Sequence, residues 1–341
     1  MQLELLGWNG FFANQACAGM PGRIASATRE RYVVWTETGE VDAGIGGALR
    51  NCGSVWPAVG DWVALRPGAP VIEHIFARRT LLSRKQAGRA MDEQILAANI
   101  DVLFIVSGLD GDYNERRIER YLVVARQSGA RPVILLNKAD LAVTNGIDLS
   151  PMVERLRARS GVPVLPVSAL AGDGLDGPAA LLGAGETAAL IGSSGVGKST
   201  IVNRLLGQGR QATREVCPDD RGRHTTTSRS MFLMPGGWLL IDMPGLREVQ
   251  LWASPERLDA GFEDLRELAT GCRFRDCSHM GEPGCAVLAA GIDQDRLDNY
   301  HKMQRELDYL ERKTDKRLMS ETRARWKTIH KAMRNSGKSG W

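Results

Sequence analysis

No stretch of this sequence runs apolar for the ~20 residues that a helix needs to cross a bilayer, so no membrane partner is expected. The opening Met1-Gln2-Leu3-Glu4-Leu5-Leu6 has no basic segment followed by a long apolar one, which excludes a secretory leader of the usual kind. A cytoplasmic protein is the expectation. Cysteine is scarce, at six in 341 residues, and a disulfide-built scaffold is excluded with it. Internal repeats are missing, so a repeat architecture is not expected. Charge of one sign is not in large excess: the formal net charge is +4, too little to argue for a nucleic-acid partner by itself.

What is present is ordinary for a globular protein: 43% hydrophobic and 25% charged residues, enough for a sizeable core. The length allows two or three domains. The charge is unevenly placed. From Lys302 to Lys338 there are twelve lysines and arginines against five carboxylates. Such a tail suits a polyanion; a solvated helix face is the other reading.

Three regions follow from the patterns. Residues 1–80 read as short strands and turns: Arg31–Trp35, Pro57–Leu65 and Val71–Ile75. They suggest a small β-barrel, of the oligonucleotide-binding (OB) type or purely structural. Trp35, Trp56 and Trp62 are base-stacking platforms or core. Residues 90–252 alternate strand and helix. Ile100–Ser107 and Pro132–Leu136 are near-continuous apolar runs, as buried parallel strands need, and Asn114–Ser128 has helical spacing between them. Val162–Val167, Ala188–Ile191 and Trp238–Ile241 add strands, so an open α/β sheet is expected. Residues 255–341 read as helical around a cysteine cluster. The last residues, Asn335–Gly340, read as disordered.

The chemistry sits in motifs. Gly192-Ser193-Ser194-Gly195-Val196-Gly197-Lys198-Ser199 is G-x-x-x-x-G-K-S, preceded by an apolar strand and followed by a helix from Thr200. Successive backbone N–H groups of such a loop wrap a phosphate, and the helix dipole adds positive potential. Lys198 would reach the β- and γ-phosphates, and the Ser199 hydroxyl would bind Mg²⁺. Asn137-Lys138-Ala139-Asp140 follows a strand and has the N-K-x-D form. The Asp140 carboxylate accepts from both N1–H and the exocyclic amine of guanine, a pair that adenine does not offer. Asn137 would bond the base and brace the phosphate loop, and the Lys138 stem would lie over the purine. The backbone of Ser168-Ala169 would meet the guanine oxygen.

Asp242-Met243-Pro244-Gly245 is a D-x-x-G after an apolar strand. Asp242 would hold Mg²⁺ and the Gly245 N–H would sense the γ-phosphate. In Gly222-Arg223-His224-Thr225-Thr226-Thr227 one threonine, taken as Thr226, should close on Mg²⁺. Leu246 stands where many GTPases place a water-positioning Gln, so intrinsic hydrolysis should be slow. His224 is the available group for water; a switch histidine without catalytic duty is the other reading. The base-reading motif precedes the phosphate loop, the reverse of the usual order, so the sheet is expected to be circularly permuted.

Cys272, Cys277, His279 and Cys285 give C-x₄-C-x-H-x₅-C. Three thiolates and one imidazole form a closed tetrahedral set for one structural Zn²⁺. Arg273 and Arg275, between ligands, could touch phosphate.

The motif order, G-R-H-T-T-T at Gly222–Thr227, D-M-P-G at Asp242–Gly245, the cysteine–histidine set and Gln94–Asp101 together resemble the ribosome small-subunit-dependent GTPase A family. The resemblance covers nearly the whole chain. It is most specific from about residue 94 to residue 285. It implies an N-terminal OB-like barrel, a permuted P-loop GTPase domain and a C-terminal zinc-binding helical domain. It also implies late maturation of the small (30S) ribosomal subunit, contacts with 16S rRNA, and GTP hydrolysis stimulated by that subunit. Nucleotide contacts carry over to Asn137–Asp140 and Gly192–Thr200, and zinc to the four ligands. A monomer is expected. The competing readings are a large-subunit GTPase, an RNA-binding scaffold with a hydrolysis-dead nucleotide switch, and an ATPase.

Overall fold

The computed structural model describes residues 1–15, 17–28, 31–52, 56–85, 93–207, 229–243, 258 and 261–310. Those up to Arg84 and from Glu93 to Met243 form one compact unit; Leu258 and residues 261–310 belong to a second.

The first unit begins with a five-stranded barrel. Its strands are β1 (Met20–Ala27), β2 (Tyr32–Thr36), β3 (Gly39–Ile45), β4 (Trp62–Leu65) and β5 (Val71–Ile75). They are ordered β1-β2-β3-β5-β4, and β4 pairs back onto β1. The pair β3–β5 is parallel and the others are antiparallel. This is a closed Greek-key barrel of OB-like form. Ile24, Val34, Trp62 and Ile72 are fully buried inside it, so Trp62 is core, whereas Trp56 is exposed.

β1 is among the strands that periodicity did not show, with β3, Leu81–Lys85, Glu93–Ala98 and Arg229–Leu233. Met20-Pro21-Gly22-Arg23 is poor in β-formers. It is held instead by Arg23, whose buried guanidinium donates to Gly60 O at 3.3 Å, to Asn99 O at 3.1 Å and to Leu6 O. Burial lowers its pKa to about 10, so it stays a cation at neutral pH. Three distant segments are pinned by one side chain, as a desolvated charge with few carboxylate neighbours demands.

A two-stranded sheet of β6 (Leu81–Lys85) and β7 (Glu93–Ala98) precedes the α/β sheet. That sheet holds β8 (Val102–Gly108), β9 (Arg131–Asn137), β10 (Val164–Pro166), β11 (Thr187–Ile191), β12 (Arg229–Leu233) and β13 (Leu239–Asp242). The order is β10-β9-β8-β11-β13-β12; all pairs are parallel except β12–β13. β12 also pairs with β1, through Ser26 opposite Ser230 and Ala27 opposite Arg229. One continuous sheet therefore joins barrel and α/β region. β8 is buried along its whole length, as its apolar run requires when helices cover both faces. The helix Glu115–Ser128 follows β8. The Asn114 side chain caps it by accepting from Arg117 N at 3.0 Å, and Gly129 ends it in the left-handed region. Its expected start is thus one residue early, because Asn114 is the cap. Val102, Phe104, Val133, Leu190, Ile201 and Leu240 fill the core between sheet and helices.

In the second unit the helices Glu263–Ala269 and Ala286–Ala289 flank the cysteine cluster, and residues 294–310 are helical. Phe262, Leu265, Leu297, Met303 and Leu307 are buried, and Arg296 pairs with Asp264 at 2.6 Å. Of the basic tail, Lys302 and Arg305 are described; the part from Arg312 on lies outside the described residues.

Candidate nucleotide site and metal cluster

Parallel strands gather their carboxyl ends on one edge, and crevices for ligands form there. Here the ends of β9, β10, β11 and β13 carry Asn137, Val167-Ser168-Ala169, Gly192 and Asp242. The sheet thus brings together residues that the sequence spreads over more than a hundred positions.

The phosphate loop runs from Gly192 to Gly197, and its helix spans Lys198–Gly207. Two glycines are required by close approach. A Cβ on Gly192 would lie 2.4 Å from Val106 O, and one on Gly197 would lie 2.3 Å from Asn137 Nδ2. Ser194 and Gly195 at the loop's crest, and Ser199 and Thr200 at the helix start, are exposed, while Val196 is buried as the loop's apolar anchor. Lys198 turns back over the loop and donates to Gly192 O at 2.8 Å and Ser193 O at 2.6 Å. Burial lowers its pKa to about 8, against the opposing pull of Asp242. Burial likewise raises the Asp242 carboxyl above its ordinary value, with Lys198 opposing. An ammonium and a carboxylate, both short of solvent, face the place where phosphate and its metal would bring the matching charges.

Asn137 ties the motifs together. It is 2% exposed. Its Nδ2 donates to Val196 O in the phosphate loop at 2.8 Å, and its Oδ1 accepts from Ala169 N at 3.0 Å. The bracing expected of Asn137 is present. Lys138 sits in the left-handed region, φ 67°, with its ammonium on Asp110. Ala139 N donates to Val167 O at 3.1 Å. The Ser168 hydroxyl donates to Asp140 Oδ1 at 2.6 Å, so one Asp140 oxygen is held in place. His224, Thr226, Gly245 and Leu246 lie outside the described residues. The reading of the sequence missed Asp110, Asp112 and Arg117, which contact Lys138 and Ser193. Their only signal is two aspartates in a short turn at the carboxyl end of a buried parallel strand.

In the second unit, the Cys272, Cys277, His279 and Cys285 ligand atoms all lie within 4.8 Å of one another. Cys272 Sγ is 3.9 Å from Cys285 Sγ, and His279 Nδ1 is 3.4 Å from Cys285 Sγ and 3.7 Å from Cys272 Sγ. A tetrahedral ion with metal–sulfur bonds of about 2.3 Å places ligand atoms about 3.8 Å apart, so the cluster could hold a metal ion. Ala286 N donates to Cys272 Sγ at 3.3 Å and Leu288 N to Cys285 Sγ at 3.5 Å. Such N–H donors favour thiolate over thiol. His279 adopts φ 59°, the left-handed backbone that turns its ring toward the thiols.

A phosphate loop, an N-K-x-D turn and a half-buried aspartate on one sheet edge, with the base-reading motif first in the chain, define a circularly permuted P-loop GTPase. Comparison with known proteins narrows the class. The family model described as RsgA GTPase matches residues 75–252, and the chain belongs to that family; it is a GTP-hydrolysing enzyme. It is 47% identical to a small ribosomal subunit biogenesis GTPase RsgA of Methanosarcina acetivorans, over 89% of this chain and 84% of that one. It is 45% identical to the protein of the same name from Opitutus terrae, over 98% and 97% of the two chains. Among solved structures it resembles YjeQ from Thermotoga maritima, with TM-score 0.62 and 27% identity over 84% of this chain and 98% of that one. It shares the fold of YloQ, described as a circularly permuted GTPase, with TM-score 0.60 and 22% identity over 85% and 95%. A second model, described as 50S ribosome-binding GTPase, matches residues 187–319, a match that begins on β11, the strand before the phosphate loop.

Proposed function

We propose that this GTPase acts in the late biogenesis of the small (30S) ribosomal subunit, binding 16S rRNA and hydrolysing GTP to GDP and phosphate when that subunit is bound. The observation that carries the catalytic half is Asn137, whose amide spans the phosphate loop and Ala169. The ribosomal half is supported by the printed names of relatives that match nearly the whole chain.

The residues take roles by their positions. Asp140 would accept the two guanine donors, Asn137 would add a base contact, and the backbone at Ser168-Ala169 would meet the guanine oxygen. Lys138 would cover the purine face. The N–H groups of Gly192–Thr200 would wrap the phosphates, with Lys198 leaving its loop carbonyls for the β- and γ-phosphates. Mg²⁺ would be held by Ser199, Thr226 and Asp242, where it would neutralise phosphate charge. Gly245 would sense the γ-phosphate. His224 would accept a hydrogen bond from the attacking water, because the apolar Leu246 cannot. Zn²⁺ would fit the four ligands of the second unit, where it supplies folding energy. The division of labour is residues 1–80 as an OB-like barrel toward RNA, 90–252 as the GTPase and 255–341 as the zinc-binding helical part with its basic tail, in a cytoplasmic monomer.

The test is GTP turnover with and without purified small subunits. Turnover should rise by an order of magnitude or more at saturating subunit. No stimulation would overturn the reading in favour of a hydrolysis-dead switch. Stimulation by large subunits alone would favour the 50S-binding class that matches residues 187–319.

A further inference from the structure

Leu109–Asn114 link β8 to the helix Glu115–Ser128. Leu109 N pins the start of this turn to Asn137 O at 2.8 Å. Two carboxylates leave it toward different motifs. Asp110 Oδ2 holds the Lys138 ammonium. Asp112 takes Arg117 Nη1 on both oxygens, each at 2.7 Å, and accepts the Ser193 hydroxyl on Oδ2 at 2.5 Å. Arg117 Nη1 also donates to Ser193 Oγ at 2.8 Å. Asp112, Arg117 and Ser193 thereby close a ring of charge-assisted bonds. The two prongs are joined, because Asp112 N donates to Asp110 Oδ1 at 3.2 Å.

Ser193 belongs to the phosphate loop, 81 residues from Asp112 in sequence. Its carbonyl takes the Lys198 ammonium, a contact that would be given up when Lys198 turns to phosphate, so the ring on its side chain is the grip that would persist with nucleotide bound. A phosphate loop works only if its successive N–H groups point at one place, and rotation of Ser193 would misaim them. Each carboxylate is neutralised by its own cation, so neither adds repulsion against an incoming phosphate. Arg117 holds the Asp112 carboxyl below the usual range, and Lys138 does so for Asp110.

We infer that the Asp110–Asp112 turn is a positioning element that sets how long a guanine nucleotide stays bound, acting on the phosphates through Ser193 and on the base through Lys138. The inference rests on the guanine-nucleotide reading of the site. It assigns Asp112, Arg117 and Asp110 to positioning, not to contact with the nucleotide.

The experiment is stopped-flow release of a fluorescent GDP from the full chain, alongside KM and kcat for GTP. Asp112→Asn should speed release about five-fold, as expected for the loss of one partly exposed charged hydrogen-bond set. KM should rise by the same factor, with kcat moved less than KM. Ser193→Ala should act alike, and the double variant should release no faster than the faster single one, because both remove the same ring. Arg117→Lys keeps the charge and loses the guanidinium that bridges Asp112 and Ser193, so it should fall between wild type and Asp112→Asn. Thermal unfolding of each variant separates misfolding from lost positioning. Release within twofold of wild type for both Asp112→Asn and Arg117→Lys, or effects of Asp112→Asn and Ser193→Ala that multiply, would overturn the clamp. If wild type itself fails to bind the GDP probe, the site reading has failed instead.

Discussion

The two candidate centres are built on opposite plans. The cysteine–histidine set draws all its ligands from Cys272 to Cys285, and its four ligand atoms already lie within 4.8 Å of one another. The nucleotide site draws on Asp110, Asn137, Ser168, Gly192 and Asp242, and only the parallel sheet brings them to one edge. The first is a local fold that a metal would close. The second is a long-range assembly, its lysine hydrogen-bonded to the carbonyls of its own loop. A local centre should therefore fail together with its segment. A sheet-borne centre should lose affinity and keep its fold.

The largest effect tests the local side of that contrast. Removing one of four candidate ligands, as in Cys285→Ser, would break the set that could hold a metal ion, and such an ion supplies on the order of 10 kcal/mol in small metal-built folds. Limited proteolysis should then cut within residues 262–310 faster than in the parent protein. A ratio of GDP affinities near one between parent and variant would show that the centres are independent; undiminished protection would show that no metal holds this segment.

Next in size is Lys198→Ala. Truncating a buried charge proposed to meet phosphate should weaken GDP binding about a hundred-fold, while the far-ultraviolet dichroism of the sheet and helices stays. Loss of the fold itself would break the contrast.

A smaller effect follows from pH. The Lys198 pKa is lowered by burial to about 8, and phosphate binds the ammonium form. Affinity for GDP should fall about fourfold between pH 7 and 8.5 as the free protein loses that proton, and titration calorimetry at pH 8.5 in two buffers should show proton uptake. A lysine at its ordinary value would leave affinity flat across this range. The same shift acts on stability. Between about pH 8 and the ordinary lysine value the unfolded chain binds the extra proton, so the contribution of Lys198 makes the nucleotide-free fold more stable as pH rises.

The legibility of the two plans differs for the same reason. The cysteine cluster, the phosphate loop and N-K-x-D are contiguous patterns, and spacing, together with the strands flanking the last two, was enough to propose their chemistry. The apolar run that became β8 was legible in the same way. β1 was illegible because its stability comes from Arg23 reaching Leu6, Gly60 and Asn99, none of them near it in sequence. Asp110, Asp112 and Arg117 were illegible because their partners are Lys138 and Ser193, across the sheet edge. A polar turn before a helix gives no local sign of which distant loop it holds.

A guanine site assembled from both ends of a permuted order should owe its base selectivity to Asp140. Titration of wild type and Asp140→Asn with GDP, ADP and xanthosine diphosphate is the measurement. Wild type should take GDP over ADP by about a thousand-fold or more, because adenine leaves the carboxylate unpaired, and Asp140→Asn should lose GDP and gain xanthosine diphosphate. Equal affinities for GDP and ADP, or a variant that still prefers GDP, would contradict it.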